Sequence, residues 1–403
     1  MKIVIATESY WPNVDGGAVF ERNLAHAFSK KGHKVSIIAP RTKGRGKIEE
    51  DGLTKIYRCN AYPIPFATNY KITIFPYLAI KKILKILKPD VVHCHAVIAG
   101  IGQVSLRVAH NMGIPVVATN HIMPHNLLMY VSKFKWIMKF LEEKMWKNLV
   151  KVHNKCDFVS SPTKTALDYL IERGLKVPNK PISNGINLDL FKPRSSQEVS
   201  CIKHKYNLPD KPIILYTGRV SGEKSIDVLV KSLPYVFKEV DAHFAMTGEG
   251  REKENIVKLV EKLGIKNKAS FLGFVPQEDL PFLYNNATLF AIASTAELQS
   301  IVLMEALASG LPAVAVNSGA LPELVNNEVN GFLFKIGDYK ELALKMVMII
   351  RDEKLRNKMR GESLRIIKDH DFHKTVDEYL EAYQFVIEEM AFKLQSTEHR
   401  AQS

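Results

Sequence analysis

The chain has 403 residues and carries 56 Lys+Arg against 42 Asp+Glu, a formal net charge of +14. Its 46% apolar and 24% charged residues exclude a disordered, collagen-like or disulfide-scaffold chain, and the length suits two or three domains. Cys59, Cys94, Cys156 and Cys201 form no C-x-x-C pair, which argues against a zinc ribbon or thioredoxin-like site and for a reducing compartment; no apolar run reaches the ~18 residues of a membrane span, and the apolar stretch after Lys2 is too short for a signal peptide, so a cytosolic chain is expected.

In chain order, residues 3–6 read as a buried strand, followed by a loop rich in Asn, Asp and Gly from Pro12 to Gly17. Residues 18–31 place Ala18, Leu24, Ala27 and Phe28 near helical spacing, Gly32 closes that helix, and residues 34–39 form the next strand. Strand–loop–helix–strand units imply parallel pairing with helices on the faces of the sheet. Short apolar runs at 91–93, 116–118 and 158–160 continue the series. The rhythm breaks over 183–195 and resumes at Pro212, with strands expected at 213–216, 243–246, 270–272, 289–291 and 313–316. The pattern predicts an α/β chain of two doubly wound Rossmann-like domains, 1–190 and 191–372, facing across a cleft with ligands at the carboxyl ends of the strands. A C-terminal helix over about 373–395 is expected to pack back onto the first domain, with 396–403 a loose tail.

The charge is unevenly spread. Residues 1–190 hold 28 Lys+Arg and 13 Asp+Glu, and the rest of the chain holds 28 and 29. A basic half suits an anionic partner: nucleic acid, a membrane surface or an acidic substrate. Within it, Leu127, Val131, Phe134, Met138, Leu141, Met145, Leu149 and Val152 recur at steps of three and four, a helical stripe. Lysines occupy the other faces, with Trp136 and Trp146 alongside. Most of the apolar stripe reads as core, while Lys133, Lys135, Trp136 and Lys139 read as a membrane or acceptor contact. Residues 71–88, with Phe75, Tyr77, Lys81, Lys82, Lys85 and Lys88, have a similar character, and each such Lys contributes ~1 kcal/mol near an anionic leaflet. No helix-turn-helix, zinc-finger or RNP-type signature supports nucleic acid.

Two loops carry chemistry. In Thr217-Gly218-Arg219-Val220-Ser221-Gly222-Glu223-Lys224-Ser225 the spacing of a P-loop fails, because Glu223 separates Gly222 from Lys224. Arg219 and Lys224 remain two cations in a loop that precedes a helix, a combination suited to a diphosphate. The second loop holds Glu297 after a strand and Glu305 inside the following helix. Each carboxylate can accept hydrogen bonds from sugar or ribose hydroxyls, and Glu305, next to Ala306-Leu307-Ala308, needs a partner if buried. His93, His95, His121 and His125 invite a metal reading. His93 and His95 are read as pointing to opposite faces of a strand end, which argues against a shared zinc site, so no metal is expected. Asp369-His370-Asp371 reads as a surface turn.

Together, ILYTGRVSGEKSI at 213–225 and ASTAELQSIVLMEALASGLP at 293–312 resemble the family-4 retaining glycosyltransferases of the two-domain GT-B fold. Their Glu-x7-Glu pair falls on Glu297 and Glu305, and further matches run from about 1 to 390: Gly16-Gly17, Asp90-Val91-Val92-His93-Cys94-His95, Ala118-Thr119-Asn120-His121, Ile182-Ser183-Asn184-Gly185-Ile186 and Gly248-Glu249-Gly250. The resemblance implies that Arg219 and Lys224 hold a nucleotide diphosphate and that Glu305 binds the ribose hydroxyls. It places Glu297 and the segment Gln299, Ser300, Ile301 and Val302 on the donor sugar. Gly16, Gly17 and Gly248 would line the nucleotide-sugar site, Phe274 and Val275 would lie near the base, and His121 would lie near the anomeric centre. Glu297-Leu298-Gln299-Ser300 stands where many members have Gly or Phe-Gly, and Gln in its third place resembles diacylglycerol and related glycolipid glycosyltransferases. The implied function is a metal-independent, retaining transfer of a hexose from a nucleotide-sugar, UDP-linked, to a membrane glycerolipid, with no cofactor. Peripheral attachment to the inner face of an anionic membrane follows from it. The alternatives are a soluble or polysaccharide acceptor, or a nucleotide-sugar epimerase of the same fold.

Overall fold

A computed structural model describes residues 1–402 other than 14, 15, 43–45, 65, 66, 74, 96, 98, 99 and 125–134, with the backbone alone for 63, 64, 67–72, 135, 137, 394 and 397–402. The chain divides into two compact units, Met1–Ser183 with Thr375–Ser403, and Asn184–Lys374.

The first unit runs β1 (Lys2–Ala6), α1 (Gly16–Lys30), β2 (Lys34–Pro40), β3 (Ile48–Asp51), β4 (Thr54–Cys59), β5 (Ala61–Ile64), β6 (Ala67–Thr73), α2 (Tyr77–Leu87), β7 (Val91–His95), α3 (Gly100–Asn111), β8 (Val116–Thr119), α4 (Lys135–His153), β9 (Phe158–Ser161), α5 (Lys164–Ile171) and β10 (Asn179–Pro181). Its main sheet has the order β10-β9-β8-β7-β1-β2-β4-β3. The central strands are buried along their whole length, as expected where helices cover both faces. The expected strands at 3–6, 34–39, 91–93, 116–118 and 158–160 all form. Two hairpins depart from the purely parallel expectation: β3 pairs antiparallel with β4, and β5 pairs with β6 as a separate sheet. The first turns through Gly52-Leu53, where Gly52 takes a φ of +60° that favours glycine.

The second unit runs α6 (Ser196–Lys205), β11 (Ile213–Thr217), α7 (Ile226–Glu239), β12 (His243–Thr247), α8 (Lys253–Lys262), β13 (Ala269–Gly273), α9 (Leu280–Asn286), β14 (Leu289–Ile292), α10 (Ile301–Ala308), β15 (Ala313–Val316), β16 (Gly331–Phe334), α11 (Tyr339–Arg351) and α12 (Glu353–Ile367). Its sheet, β13-β12-β11-β14-β15-β16, is parallel throughout. In each unit the chain order reverses beside one central strand: between β1 and β7 in the first and between β11 and β14 in the second. There the two following loops diverge to opposite faces and leave a crevice at the strands' carboxyl ends.

The last helix, α13 (Phe372–Gln402), belongs to the first unit from Thr375 onward. It continues through the stretch read as a loose tail, because 372–402 contains no Gly or Pro to stop it. Tyr379 and Tyr383 are fully buried. The Tyr383 hydroxyl shares a 2.6 Å hydrogen bond with His93 Nδ1, and Tyr379 meets Thr119 at 3.0 Å, so the helix is tied by polar contacts to the strand ends. Tyr383→Phe would leave a buried ring nitrogen without a partner. It is expected to destabilise the protein by ~1–3 kcal/mol, seen as a lower thermal unfolding midpoint; an unchanged midpoint would show that this tie contributes nothing.

Candidate active site

In the second unit the site grows from the reversal between β11 and β14. The β11 loop is fixed by its own backbone. Gly218 has a φ of +130°, and a Cβ on Gly248, itself at +117°, would lie 1.9 Å from the Gly218 carbonyl oxygen. A Cβ on Gly250 would lie 2.1 Å from the Val220 oxygen, and Val220 N donates to Glu249 O at 2.9 Å. Gly248 is thus required by loop-on-loop packing within the protein itself. The Tyr216 hydroxyl donates to Arg219 O at 3.1 Å and holds the next residue of the loop.

Both candidate diphosphate cations are paired with carboxylates. The exposed Arg219 guanidinium donates to Glu223 Oε1 at 2.9 Å, and Ser221 Oγ donates to the same oxygen at 2.6 Å. Burial would raise the Glu223 carboxyl, but the Ser221 bond, a backbone bond and the charges of Arg219 and Lys224 hold it below its usual range. Lys224 Nζ donates to Glu297 Oε1 at 2.5 Å, joining the β11 loop to the β14 loop. Glu223, met in the sequence only as the residue that spoils a P-loop, is therefore the partner of Arg219.

Glu305 has the partner that its apolar neighbours require. The Tyr284 hydroxyl donates to its Oε2 at 2.7 Å and lies 2.6 Å from Thr217 Oγ1. Burial pushes the Glu305 carboxyl up to about 7, against the lowering effect of Tyr284. Tyr284 carried no motif and comes into view only through the fold. Ser300, Ile301 and Val302 form the start of α10, whose first amides have no partners inside the helix; the buried Ser300 Oγ makes no hydrogen bond and does not cap it. Gln299 Oε1 accepts from Asn184 N at 2.8 Å, so this side chain ties the β14 loop to the start of the unit. Gly319, with a φ of +55°, leaves room for the Glu297 carbonyl, which a Cβ would approach to 2.8 Å. Phe274 is exposed and Val275 is buried in the core of the unit.

The first unit has its own crevice at the β1–β7 reversal. Gly16 and Gly17 open α1, and a Cβ on Gly16 would meet nothing within 4 Å. One turn on, α1 presents Phe20 and Glu21. His93 and His95 do not point to opposite faces: residues two apart on a strand share a face, and their rings lie 4.2 Å apart. His95 stacks on His121 at 5.3 Å with an interplanar angle of 3°, and the edge of Phe20 meets His121 at 5.4 Å. Burial pushes His93 down to about 3 and His121 down to about 4, so both rings are neutral at pH 7. His121 Nε2 makes no hydrogen bond within the protein, so the ring can offer one without placing a cation in the crevice. Among the described residues no group of three or more His, Cys, Asp or Glu could hold a metal ion.

The remaining candidates fall elsewhere. Lys133 and His125 lie outside the described residues. On α4, Trp136 and Lys139 are exposed, Lys135 is placed by its backbone, and Trp146 is buried. Trp146 stands under the Arg173 guanidinium, 4.8 Å from the ring, so it is part of the core and not of an outward aromatic row. In the Asp369-His370-Asp371 segment, Ile186 N donates to His370 O at 2.7 Å and Asp371 pairs with Ile186.

Both units match known family models. Residues 14–190 match the model for Glycosyltransferase Family 4, and residues 201–364 match that for Glycosyl transferases group 1. The chain belongs to the family-4 glycosyltransferases. It is 29% identical over 344 residues to the alpha-monoglucosyldiacylglycerol synthase of Acholeplasma laidlawii, covering 83% of this chain and 85% of that one. It is 28% identical over 392 residues to the synthase of the same name from Streptococcus pneumoniae, covering 95% and 86%. Among solved structures, sucrose-phosphate synthase from Thermosynechococcus elongatus aligns with a TM-score of 0.77 at 19% identity over 96% of this chain and 99% of that one. The Anabaena protein HepE, in complex with UDP, aligns with a TM-score of 0.74 at 19% identity over 95% and 100%. These likenesses show a GT-B fold.

The raised pKa of Glu305 has a consequence for stability in this glycosyltransferase. The fold favours the neutral acid. The stability that this preference supplies is full below the ordinary value of 4.5 and is lost as pH rises through about 7. Glu305→Gln stays neutral throughout, so at pH 8 its unfolding midpoint should exceed that of the unsubstituted protein, by up to ~3 kcal/mol in free energy, and the two should converge below pH 5. Equal midpoints at pH 8 would show that the buried carboxylate carries no such cost.

Proposed function

We propose that this glycosyltransferase moves a hexose from a UDP-sugar to a membrane glycerolipid, with retained anomeric configuration and without a metal. The observation that carries the reading is the Lys224–Glu297 contact at 2.5 Å, set at the β11–β14 reversal between a cationic loop and the start of α10. An arriving diphosphate offers Lys224 and Arg219 stronger, doubly charged acceptors than the carboxylates that hold them in its absence. Release of Glu297 then leaves a carboxylate free to accept hydrogen bonds from sugar hydroxyls, and Glu305 accepts from the ribose.

As the glycosidic bond lengthens, negative charge grows on the departing diphosphate. Arg219 and Lys224, with the amides of Ser300, Ile301 and Val302, stabilise it in the role that a divalent ion would otherwise fill. In the crevice of the first unit, the neutral His121 supplies a hydrogen bond without placing a cation there. The lipid acceptor is supported by the two relatives named alpha-monoglucosyldiacylglycerol synthase, and the UDP donor by the neighbouring structures in complex with UDP and with UDP-glucose. No described helix is long and apolar enough to cross a membrane. We place the enzyme peripherally on the inner, anionic face of the membrane through its basic first half, with Lys135, Trp136 and Lys139 on that side.

The test is transfer from a panel of radiolabelled nucleotide-sugars to diacylglycerol in vesicles, with the product anomer read by NMR. Lys224→Ala should lower kcat by ~100- to 1000-fold, as loss of one donor to a developing oxyanion does. Glu305→Ala should mainly weaken donor binding, and Glu297→Ala should do both. Undiminished activity in all three would overturn the site assignment. Turnover should persist in a chelator; its loss would overturn the metal-free mechanism. Product formed from donor alone would instead identify an epimerase.

A further inference from the structure

The loop after β1 ends at Gly16-Gly17, which open α1 beside the crevice of the first unit. A glycine pair has no side chain with which to fix its own position. Part of the loop is shaped from within: Thr7 Oγ1 donates to Ser9 O at 2.9 Å, and Asn13 Nδ2 donates to Ser9 Oγ at 3.0 Å. A grip from outside comes at Trp11, on both its backbone and its ring. The Trp11 carbonyl accepts from Arg58 Nη2 at 2.5 Å. That Arg58 side chain is fully buried, donates from Nη1 to Pro40 O at 3.3 Å and faces Glu49 Oε2 at 3.3 Å. The Trp11 ring lies 5.2 Å from the Arg22 guanidinium carbon, within the range of a cation–π contact. Arg22 is itself held by two parallel bonds to Asp51, from Nε to Oδ2 at 2.8 Å and from Nη2 to Oδ1 at 2.7 Å. His26 Nε2 lies 3.1 Å from Asp51 Oδ2, and Thr54 Oγ1 donates to the Asp51 carbonyl at 2.6 Å.

Glu49, Asp51, Thr54 and Arg58 all belong to the β3–β4 hairpin, the antiparallel addition at the edge of an otherwise parallel sheet. Asp51 and Arg58 are both buried, and buried charges are tolerable only where partners are fixed. A hairpin that only covered the sheet edge could do so with apolar side chains. This one directs two charged groups, one of them through Arg22, at a single residue of the β1–α1 loop. The two-bond geometry sets the plane of the Arg22 guanidinium, so the Trp11 ring rests against a platform of defined orientation. We infer that Arg22, Asp51 and Arg58 are positioning residues: they hold Trp11, and through it the loop that leads to Gly16-Gly17, in the place that sugar transfer needs. The inference rests on the proposed transfer reaction for what the loop is held against.

The experiment uses the full-length variants Trp11→Ala, Arg22→Lys and Asp51→Asn. Arg22→Lys keeps the charge but loses the two parallel bonds, and Asp51→Asn keeps the shape of the buried side chain. Circular dichroism and the unfolding midpoint monitor folding. The rate is read twice, as transfer from UDP-glucose to diacylglycerol and as hydrolysis of UDP-glucose with no acceptor present. Calorimetry gives the Kd for UDP alone. Each variant should lower kcat by about 100-fold, as a small misplacement far from the reacting atoms does, with the Kd for UDP at the parent's value. Trp11→Tyr, which keeps a flat aromatic face for Arg22, should recover most of the rate. Parent kcat in Arg22→Lys and Asp51→Asn, with loss confined to Trp11→Ala, would overturn the inference. So would UDP affinity and kcat falling together with the unfolding midpoint, which is the mark of a purely structural role. A parent that hydrolyses UDP-glucose but transfers to no lipid, with hydrolysis reduced in the variants, would defeat the lipid acceptor and leave the positioning role standing.

Discussion

The contact between Lys224 and Glu297 is the constraint around which the second unit's strand-end loops are organised. An ammonium and a carboxylate, both largely removed from water, are tolerable only as a pair. The pair forms only if the loop after β11 and the loop after β14 are held at a fixed separation. The parallel pairing of β11 with β14 sets that separation. Ser294 Oγ and Thr295 N, which both donate to Glu223 O at 3.3 Å, reinforce it. The glycines at 218, 248 and 250 let the adjoining loops press backbone against backbone behind it.

The same arrangement gives a reason for the carboxylates. Glu223 and Glu297 keep two cations in place. Under the proposed function, these cations are aimed before a substrate arrives, and preorganised charge needs no rearrangement as a leaving group departs. Glu305 works differently. It is buried with one phenolic partner, and its ionisation is held back by desolvation. A ligand that brings hydroxyl donors restores what burial removed, so binding and ionisation are coupled at that position. A buried acid with a single partner is thus a cost to stability once it ionises.

In the first unit, tertiary structure joins elements that are far apart in the chain. Tyr379 and Tyr383, from the final helix, reach His93, Thr119 and Ser160 at the ends of β7, β8 and β9. His93 touches His95, and His95 stacks on His121. A run of aromatic and imidazole rings therefore leads from the C-terminal helix to the crevice beside Gly16-Gly17. The sharing of one strand face by His93 and His95 follows from the two-residue period of a strand, and the sequence reading that separated them misapplied that period.

The strands that carry both crevices were legible because each is a short apolar run followed by a glycine or polar loop, and burial on both faces leaves little choice of residue. Arg219, Lys224, Glu297 and Glu305 stood out by spacing alone, as charged groups at the strand ends or within an apolar helix. The chain order left other things undecided. Tyr284 became the partner of Glu305, and Glu223 that of Arg219, only once β11, α9 and β14 were assembled. Trp146 turned inward and Trp136 outward on one helix. Gln299 was committed to Asn184. Local sequence determines which segments are strands and helices, because periodicity and burial act along the chain. Partnerships between side chains and the direction each one faces are decided by packing between segments distant in sequence, and those become definite only when the sheet order and the helix contacts exist together.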